Sequence, residues 1–512
     1  MSELKIGWAT RDISTDKPVN IPGQFHMRIS KGVRDPLQVN ALLIDDGKDL
    51  VVFLSADLVV IRSQLLDEVR AKTAKLVKGF PVEKIIMNAT HAHTGASHYA
   101  DGTAWSQTAT GSSTPAPARI PHESIEIASS DEYRDFLSTQ AAEAIRDAYN
   151  TRAPGGVAYG YGYAVVAHSR RTVYFDDTSL RPDAVGGNGF RVDGHGVMYG
   201  NTNDDNFSHY EAGADHFINL LYTFDAQGKL TGAVINVPCP SQNSESDWQL
   251  SADYWHDVRV AIERRFGPIH LVSQCAAAGD LSPRILHYRK AQTRRFKLKY
   301  GDGDNRIHER KDIAERISEA FAEVLAWAQK DIRTDLPITH VVKTINLQRR
   351  LISNDELAFA QREYDKLKDE PYKTSGDTPQ NLLVYNSKLE AQRNRFQRIL
   401  SRYATQQQSP MLPMELHVLR IGDVAFATNR FELYMDYMHR IQARSPFAQT
   451  FVVQLTGVPG ADGGTYLATE RGVADKGYSA CLFCNLVSPE GGQQLVNETV
   501  TVLKDIYTED GV

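Results

Sequence analysis

The chain has 512 residues, 42% of them apolar and 23% charged, the balance of a soluble globular protein with one large or two ordinary domains. A formal charge of −6 over that length implies no nucleic-acid or polyanion partner, and no stretch approaches the roughly 20 apolar residues of a membrane span. Four cysteines, Cys239, Cys275, Cys481 and Cys484, are too few for a disulfide framework.

The first residues enter patterned sequence without a signal-peptide apolar core, so the chain is expected to be cytoplasmic. Residues 5–13 read as a strand that ends in a polar turn. Two apolar runs, 37–45 and 50–58, flank Asp46-Gly47 as a hairpin would, and the second ends with a carboxylate, Asp57. Residues 63–78 have helical spacing, with Leu65, Leu66, Val69 and Leu76 on one side. A short buried strand, Lys84-Ile85-Ile86-Met87, then delivers Asn88-Ala89-Thr90-His91-Ala92-His93-Thr94-Gly95. Histidines one residue apart at a strand end point the same way off the pleat. His91 and His93 therefore suit a shared cation held from a rigid support, and equally suit loop histidines in ordinary hydrogen bonds.

Residues 97–130 lack periodicity and are expected to form a long surface loop, either a lid or an insertion. A helix over 131–150, capped by Ser129-Ser130-Asp131, precedes a strand over 156–167 that delivers His168-Ser169-Arg170-Arg171. A second irregular insertion, 175–209, carries glycines, His195 and Tyr199. A hairpin over 218–237 ends at Pro238-Cys239-Pro240-Ser241-Gln242. A helix over 253–266 leads to a buried run, 269–273, and then to a small-residue turn that includes Ala278-Gly279-Asp280-Leu281-Ser282-Pro283. A strand followed by such a turn exposes a side chain at a sheet edge.

Residues 290–311 mix basic and acidic side chains without aromatic interleaving and read as a solvated linker. An amphipathic helix over 312–329, a strand over 341–351 and a helical pair over 356–368 and 386–403 follow. The arginines and glutamines of that pair predict an exposed hairpin. Strands at 416–421, 424–428 and 451–456 and a last helix at 491–506 complete the chain. Cys481-Leu482-Phe483-Cys484 has the spacing of a redox pair or half a zinc site. With no second pair and no strand-to-helix setting, reduced structural thiols are expected. No repeat is visible. The alternation of strands and helices predicts an α/β domain, a layered sandwich of mixed sheets flanked by helices. One large domain over 1–512 is expected, with insertions near 97–130 and 175–209 and a helical hairpin near 355–403.

Taken in order, five landmarks resemble the catalytic domain of the neutral (non-lysosomal) ceramidase family, over most of the chain. They are the opening Gly7-Trp8-Ala9-Thr10-Arg11-Asp12-Ile13, Ser55-Ala56-Asp57-Leu58, Thr90-His91-Ala92-His93-Thr94-Gly95, Gly279-Asp280-Leu281-Ser282-Pro283, and Gly464-Thr465-Tyr466-Leu467-Ala468-Thr469 with Tyr478 12 positions after Tyr466. The resemblance implies a zinc amidase. His91, Glu432 and Tyr466 would be metal ligands, His93 would stand beside them in the pocket, and Ser282 would be the nucleophile, with Asp280 in its loop. Tyr478 and Arg170 would polarise or hold the amide. Where the family has a second histidine ligand, the chain reads Pro238-Cys239-Pro240. Cys239 is a chemically sensible zinc ligand there, a register shift would put Pro240 in its place, and His256 is a fallback.

The chemistry of that set is coherent. An amide is a poor electrophile, and a Zn²⁺ ion both polarises its carbonyl and lowers the pKa of a bound water toward about 7. The chain stops soon after the Tyr478 region, so the family's usual C-terminal β-sandwich is expected to be absent, and the 175–209 insertion and the 356–403 helical hairpin are polar. A small polar substrate is therefore expected rather than ceramide. Two rivals stand beside this reading: an ester or glycoside hydrolase that uses Asp57, Asp280 and Glu432 as acid and base, and a metal-free binding protein.

Overall fold

The runs on either side of Asp46-Gly47 pair as a hairpin, and that hairpin belongs to a unit that occurs three times. The structure, a computed structural model, describes residues 3–99, 120, 125–182, 194–460 and 466–507. In each unit three strands form an antiparallel meander, a helix follows, and a fourth strand lies parallel to the third. The first unit is β1 (Lys5–Asp12), β2 (Gln38–Asp45), β3 (Leu50–Ala56), helix α1 (Ser63–Leu76) and β4 (Ile85–Ala89). After helix α2 (Ser130–Thr151), the second unit is β5 (Ala153–Tyr163), β6 (Phe217–Asp225), β7 (Leu230–Val237), helix α3 (Tyr254–Phe266) and β8 (His270–Cys275). Helices α4 (Arg289–Tyr300) and α5 (Asn305–Ala328) lead to the third.

The third unit begins with β9 (Ile338–Gln348). It is interrupted by helices α6 (Asn354–Leu367) and α7 (Pro379–Thr405). It resumes with β10 (Met411–Ile421), β11 (Val424–Thr428), helix α8 (Met435–Arg444) and β12 (Gln449–Val453). Helices α9 (Glu470–Asp475) and α10 (Pro489–Ile506) follow. The repetition is one of topology. No sequence periodicity announces it, because a meander requires only apolar strands and turns of the right length.

The first two units form one eight-stranded sheet, in the order β8-β7-β6-β5-β1-β2-β3-β4, and the third forms a four-stranded sheet, β9-β10-β11-β12. The sheets pack face to face. Leu42, Ile44, Phe53 and Leu221 of the larger meet Leu419, Phe426, Phe451 and Val453 of the smaller, with the Phe53 and Phe426 rings 4.7 Å apart. The alternate residues Ala41, Leu43, Val52 and Leu54 face α1 and α2 on the outside. These strands are buried on both faces, so they read in sequence as solid apolar runs. Helices α3 and α5 cover the second unit, and α8 and α10 cover the small sheet, so the molecule is the layered α/β sandwich expected.

Three local expectations are corrected. Residues 290–311 are not a linker: they hold α4 and the start of α5, whose first turn is capped by the Asp304 side chain accepting from the Arg306 N–H. The basic residues there serve packing, since Arg295 and Lys299 of α4 reach Asp312 of α5 at 2.7 and 2.9 Å. The 175–209 segment is not wholly irregular, because Arg171–Tyr174 pairs with Gly196–Met198 and Phe207–Tyr210 in a small sheet. The hairpin of α6 and α7 is not simply exposed. One face of α7 buries Leu383, Asn386, Arg395, Phe396, Ile399 and Arg402. Most of the 97–130 expectation lies outside the described residues, as do Gly464 and Thr465.

The first two units share one turn. The N–H two residues past the third strand turns back onto that strand's last carbonyl, Leu58 to Ala56 in one and Cys239 to Val237 in the other, both at 2.8 Å. The first residue past the parallel strand bonds to the same carbonyl, Thr90 to Ala56 at 3.0 Å and Ala276 to Val237 at 2.9 Å.

Candidate active site

Ligands in open α/β sheets bind beyond the carboxyl ends of parallel strands. The parallel pairs of all three units end at one place here. Gly457 N–H donates to the Met87 carbonyl at 2.8 Å, Gln454 N–H to Cys275 at 3.1 Å, His93 N–H to Ser241 at 3.2 Å, and Gly279 N–H to Leu433 at 2.8 Å. Gly279 lies so close to the third unit that a Cβ there would stand 2.3 Å from the Glu432 carbonyl oxygen, which only glycine tolerates.

His91 leaves β4 with φ +62°, a left-handed conformation rare for histidine, and is 3% exposed. Its Nδ1 lies 2.8 Å from the Val59 carbonyl oxygen. A carbonyl only accepts, so Nδ1 carries a proton, and Nε2 faces the cavity. That nitrogen is 3.3 Å from Glu432 Oε2 and 3.2 Å from His93 Nε2. His93 Nε2 in turn lies 2.9 Å from the Gln242 amide nitrogen, which donates to it, and its Nδ1 faces Glu245 Oε2 at 3.6 Å. Two imidazole nitrogens and a carboxylate oxygen thus converge on one point.

Electrostatics keeps the groups in those states. Burial, reinforced by His91, Arg28 and Arg170, holds His93 well below the usual histidine range, hence neutral. Burial alone would push the Glu432 carboxyl up. His91, Arg170 and the Tyr466 hydroxyl outweigh it and hold Glu432 below its ordinary value, hence ionised. Arg170 is 1% exposed, donates to the Gly279 carbonyl at 2.6 Å, and stands 4.0 Å from Glu432 Oε2 and 5.3 Å from the Tyr466 ring centre. Burial pushes the Tyr466 and Tyr478 phenols well above their ordinary range, and their rings meet edge to face at 5.7 Å.

Ser282 is fully buried in a two-residue pairing with His168. Its Oγ accepts from the Arg284 N–H at 3.2 Å and lies 3.3 Å from the Tyr199 hydroxyl, which is also 3.3 Å from the Gln242 side-chain oxygen. A polar chain therefore runs from Ser282 through Tyr199, Gln242 and His93 to His91 and Glu432. Asp280 Oδ1 accepts from the Met435 N–H at 2.9 Å, at the start of α8, and burial pushes its carboxyl up to about 6. Its side chain orients the loop.

The remaining candidates are placed elsewhere. The Cys239 thiol is fully buried in the apolar cluster beneath α3 and donates to the Val166 carbonyl at 3.3 Å. Its contacts are with core groups and include none of His91, Glu432 and Tyr466. The core position follows from the shared turn, in which Cys239 stands where the first unit has the buried Leu58. Burial pushes its thiol well above the usual cysteine range. Asp57 is fully buried in a two-pronged ion pair with Arg259, at 2.7 and 2.9 Å, away from the cavity. His256 is partly buried on α3.

A cavity of about 80 Å³ joins the set, lined among others by Phe25, Arg62, His91, His93, Glu432 and Tyr478. Among the described residues no group of three or more His, Cys, Asp and Glu side chains could by itself hold a metal ion. Gln242, Tyr199, Glu245 and Arg28 were not anticipated as site residues. Arg28 donates to the carbonyls of Pro22 and His93 at 2.8 and 2.6 Å and so pins the histidine loop. In the sequence it is a charge set among Phe25, Met27 and Ile29. Gln242 was legible only as the end of a strand turn.

No family profile matches the chain, and no curated protein sequence matches it. Solved structures do. A neutral ceramidase from Pseudomonas aeruginosa aligns over 99% of this chain and 76% of its own, with a TM-score of 0.64 at 17% identity. A ceramidase complexed with C2 aligns over 100% and 77%, with a TM-score of 0.62 at 15% identity. At such identities the likeness shows a ceramidase-like fold. Among the described residues no helix is long and apolar enough to cross a membrane.

Proposed function

We propose that this protein is a zinc-dependent hydrolase of an amide or related acyl bond in a small polar substrate. The observation that carries the reading is the meeting of two imidazole nitrogens with an ionised carboxylate in one small cavity. A second imidazole nitrogen and a carboxylate oxygen stand within 3.3 Å of His91 Nε2, and all three are groups that bind a divalent cation, so the donor set fits a metal ion. His91, Glu432 and Tyr466 would hold it: one nitrogen and two oxygens, the three-ligand pattern that leaves a position open for chemistry. When bound, the ion polarises the scissile carbonyl and makes water a nucleophile near neutral pH.

The protein's own groups do the rest. The Val59 carbonyl fixes the tautomer of His91, as an outer hydrogen bond commonly does for a ligating imidazole. His93, kept neutral, offers a base inside the pocket. Ser282 or a water supplies the nucleophile, and the Tyr199–Gln242 link aims the serine hydroxyl along the chain to His93. Arg170, buried and charged, steadies Glu432 and presents positive charge where a carbonyl oxygen gains negative charge. The glycoside alternative loses Asp57 to Arg259 and Asp280 to α8, which leaves Glu432 without a carboxylate partner.

Metal analysis of protein purified without added zinc, alongside turnover of short N-acyl amides, tests the reading. One zinc per chain is expected, lost together with at least a thousandfold of activity in His91→Ala. Protein without zinc, and turnover indifferent to Ser282→Ala, would overturn it.

A further inference from the structure

The Cys481-Leu482-Phe483-Cys484 turn is bonded to the backbone of two cavity tyrosines. Tyr466 and Tyr478 both line the cavity that holds His91 and Glu432. The Tyr466 N–H donates to the Cys484 carbonyl at 3.2 Å. The Asn485 side-chain amide donates to the carbonyls of Tyr466 and Ser479, at 3.2 and 2.9 Å. Ser479, next to Tyr478, holds a left-handed φ of +76° that a residue with a side chain rarely adopts. One turn therefore props the backbone on which both tyrosines stand. Its two sulfurs share a hydrogen bond at 3.6 Å. The Cys484 N–H donates to the Cys481 carbonyl at 3.0 Å, which closes the turn and brings the two residues within the reach of a disulfide.

Arg402 donates to the carbonyls of Leu482 and Asn485 at 2.8 and 3.2 Å, and Arg350 to that of Ala480 at 3.3 Å, so two cations flank the pair. Cations beside a cysteine favour its thiolate. The other two thiols differ: Cys239 donates to the Val166 carbonyl and Cys275 to the Cys239 carbonyl, at 3.3 and 3.4 Å. Cys481 and Cys484 are 3% and 2% exposed, so the fitting oxidant is a water-sized one. We propose that Cys481 and Cys484 are a reversible dithiol–disulfide pair, oxidised by hydrogen peroxide, that sets the position of Tyr466 and Tyr478. The Cys481 thiolate attacks one peroxide oxygen, the O–O bond breaks, and hydroxide departs, leaving a sulfenic acid. The Cys484 sulfur then attacks that sulfur, and its proton leaves with the sulfenic oxygen as water. Two thiols and one peroxide thus give one disulfide and two waters, the thiols losing the two electrons that the peroxide gains. Bonding draws the sulfurs together from 3.6 Å to about 2 Å, and Asn485 carries the shift to both tyrosine segments. Control of the pocket rests on the hydrolase reading, whereas the redox pair stands without it.

The full chain treated with hydrogen peroxide, then unfolded and alkylated, reads the pair by peptide mass without turnover. In wild type the peptide that holds both cysteines should lose two hydrogens and escape alkylation, and dithiothreitol should restore both thiols. Cys239 and Cys275 should stay open to alkylation throughout. Turnover of a short N-acyl amide should fall at least threefold on oxidation and return on reduction. Neither Cys481→Ser nor Cys481→Ala, two substitutions that bracket the thiol in polarity, should lose turnover under the same treatment. A pair that stays open to alkylation, or that goes to sulfinic acid without bonding, overturns the proposal, and so does a disulfide that leaves turnover as it was. A disulfide that forms and reverses as expected, in a protein that turns over no N-acyl amide, upholds the redox pair and sinks the hydrolase.

Discussion

The first and second units of the large sheet carry the same turn at the same point of the same topology, and they use it differently. In the first, Leu58 fills the core and the neighbouring strand delivers His91 one residue past Thr90. In the second, Cys239 fills the core and the neighbouring strand delivers Ala277, one residue past Ala276. Topology thus decides which positions look inward and which look into the pocket, whatever residue arrives there. The second unit contributes from further along its loops, through Gln242 and Ser282. A cysteine that looks like a metal ligand by its place in the sequence is a core residue by its place in the turn.

That equivalence can be broken or sharpened by substitution. The largest effect is expected from Leu58→Ala, which should cost roughly 3 kcal/mol of stability in denaturant unfolding, as a full-sized core side chain does. Cys239→Ala should cost less, about 1 to 2 kcal/mol, because less volume is removed, and should leave zinc content and turnover as in wild type. Loss of bound zinc in that variant would return the thiol to the site and break the comparison.

The smallest effect concerns how the two loops are propped. The first rests on the Asp57–Arg259 ion pair. The second is held by Glu309, which accepts from Asn243 at 2.7 Å, next to Gln242. Burial pushes the Glu309 carboxyl up to about 7, above its unfolded value of 4.5. The folded chain then binds that proton more tightly than the unfolded chain, so the group's contribution is complete at pH below about 4.5 and is lost as pH rises through about 7. Glu309→Gln should flatten the decline between pH 5 and 7 and stabilise the protein by roughly 1 kcal/mol at pH 8, read from unfolding curves across that range. An unchanged pH profile would mean the prop does not titrate.

Much of the architecture was legible because strands buried on both faces leave apolar runs that turn signals punctuate. The 46–47 hairpin, the strand into His91 and the buried run before Gly279 are all of that kind. The helix cap at Ser129 was legible too, since its side chain accepts from the Glu132 N–H as the composition suggested. The threefold unit was not, because hydrogen-bonded order leaves no mark on residue identity. Nor were the inward arginines of α7, since charge at helical spacing ordinarily means a solvated face. His91, His93 and Glu432 could be found by motif and order. Gln242 and Tyr199 could not: each comes from a loop and gains its place only when the three units close on one another.

Among the described residues, the strands pair across the seam where the first unit meets the second at Lys5 with Pro154 and Ile6 with Ala153 alone. β5 begins at Ala153, so β1 runs on past Ile6 without it, and Trp8 packs there against Gly232 of β7. Its indole N–H donates to Thr223 Oγ1 at 3.0 Å, and its ring stacks on His270 with centres 5.5 Å apart. The large sheet is thus two plates joined at that short edge, at Trp8, and through Ser273, whose N–H donates to Ser55 Oγ at 3.2 Å and whose carbonyl accepts from Asn88 at 3.0 Å. His93 belongs to one plate and Gln242 to the other, so their 2.9 Å contact gauges how the plates are set. A smaller side chain at position 8 would let them pivot, and the pocket would lose its alignment while each plate kept its own strands.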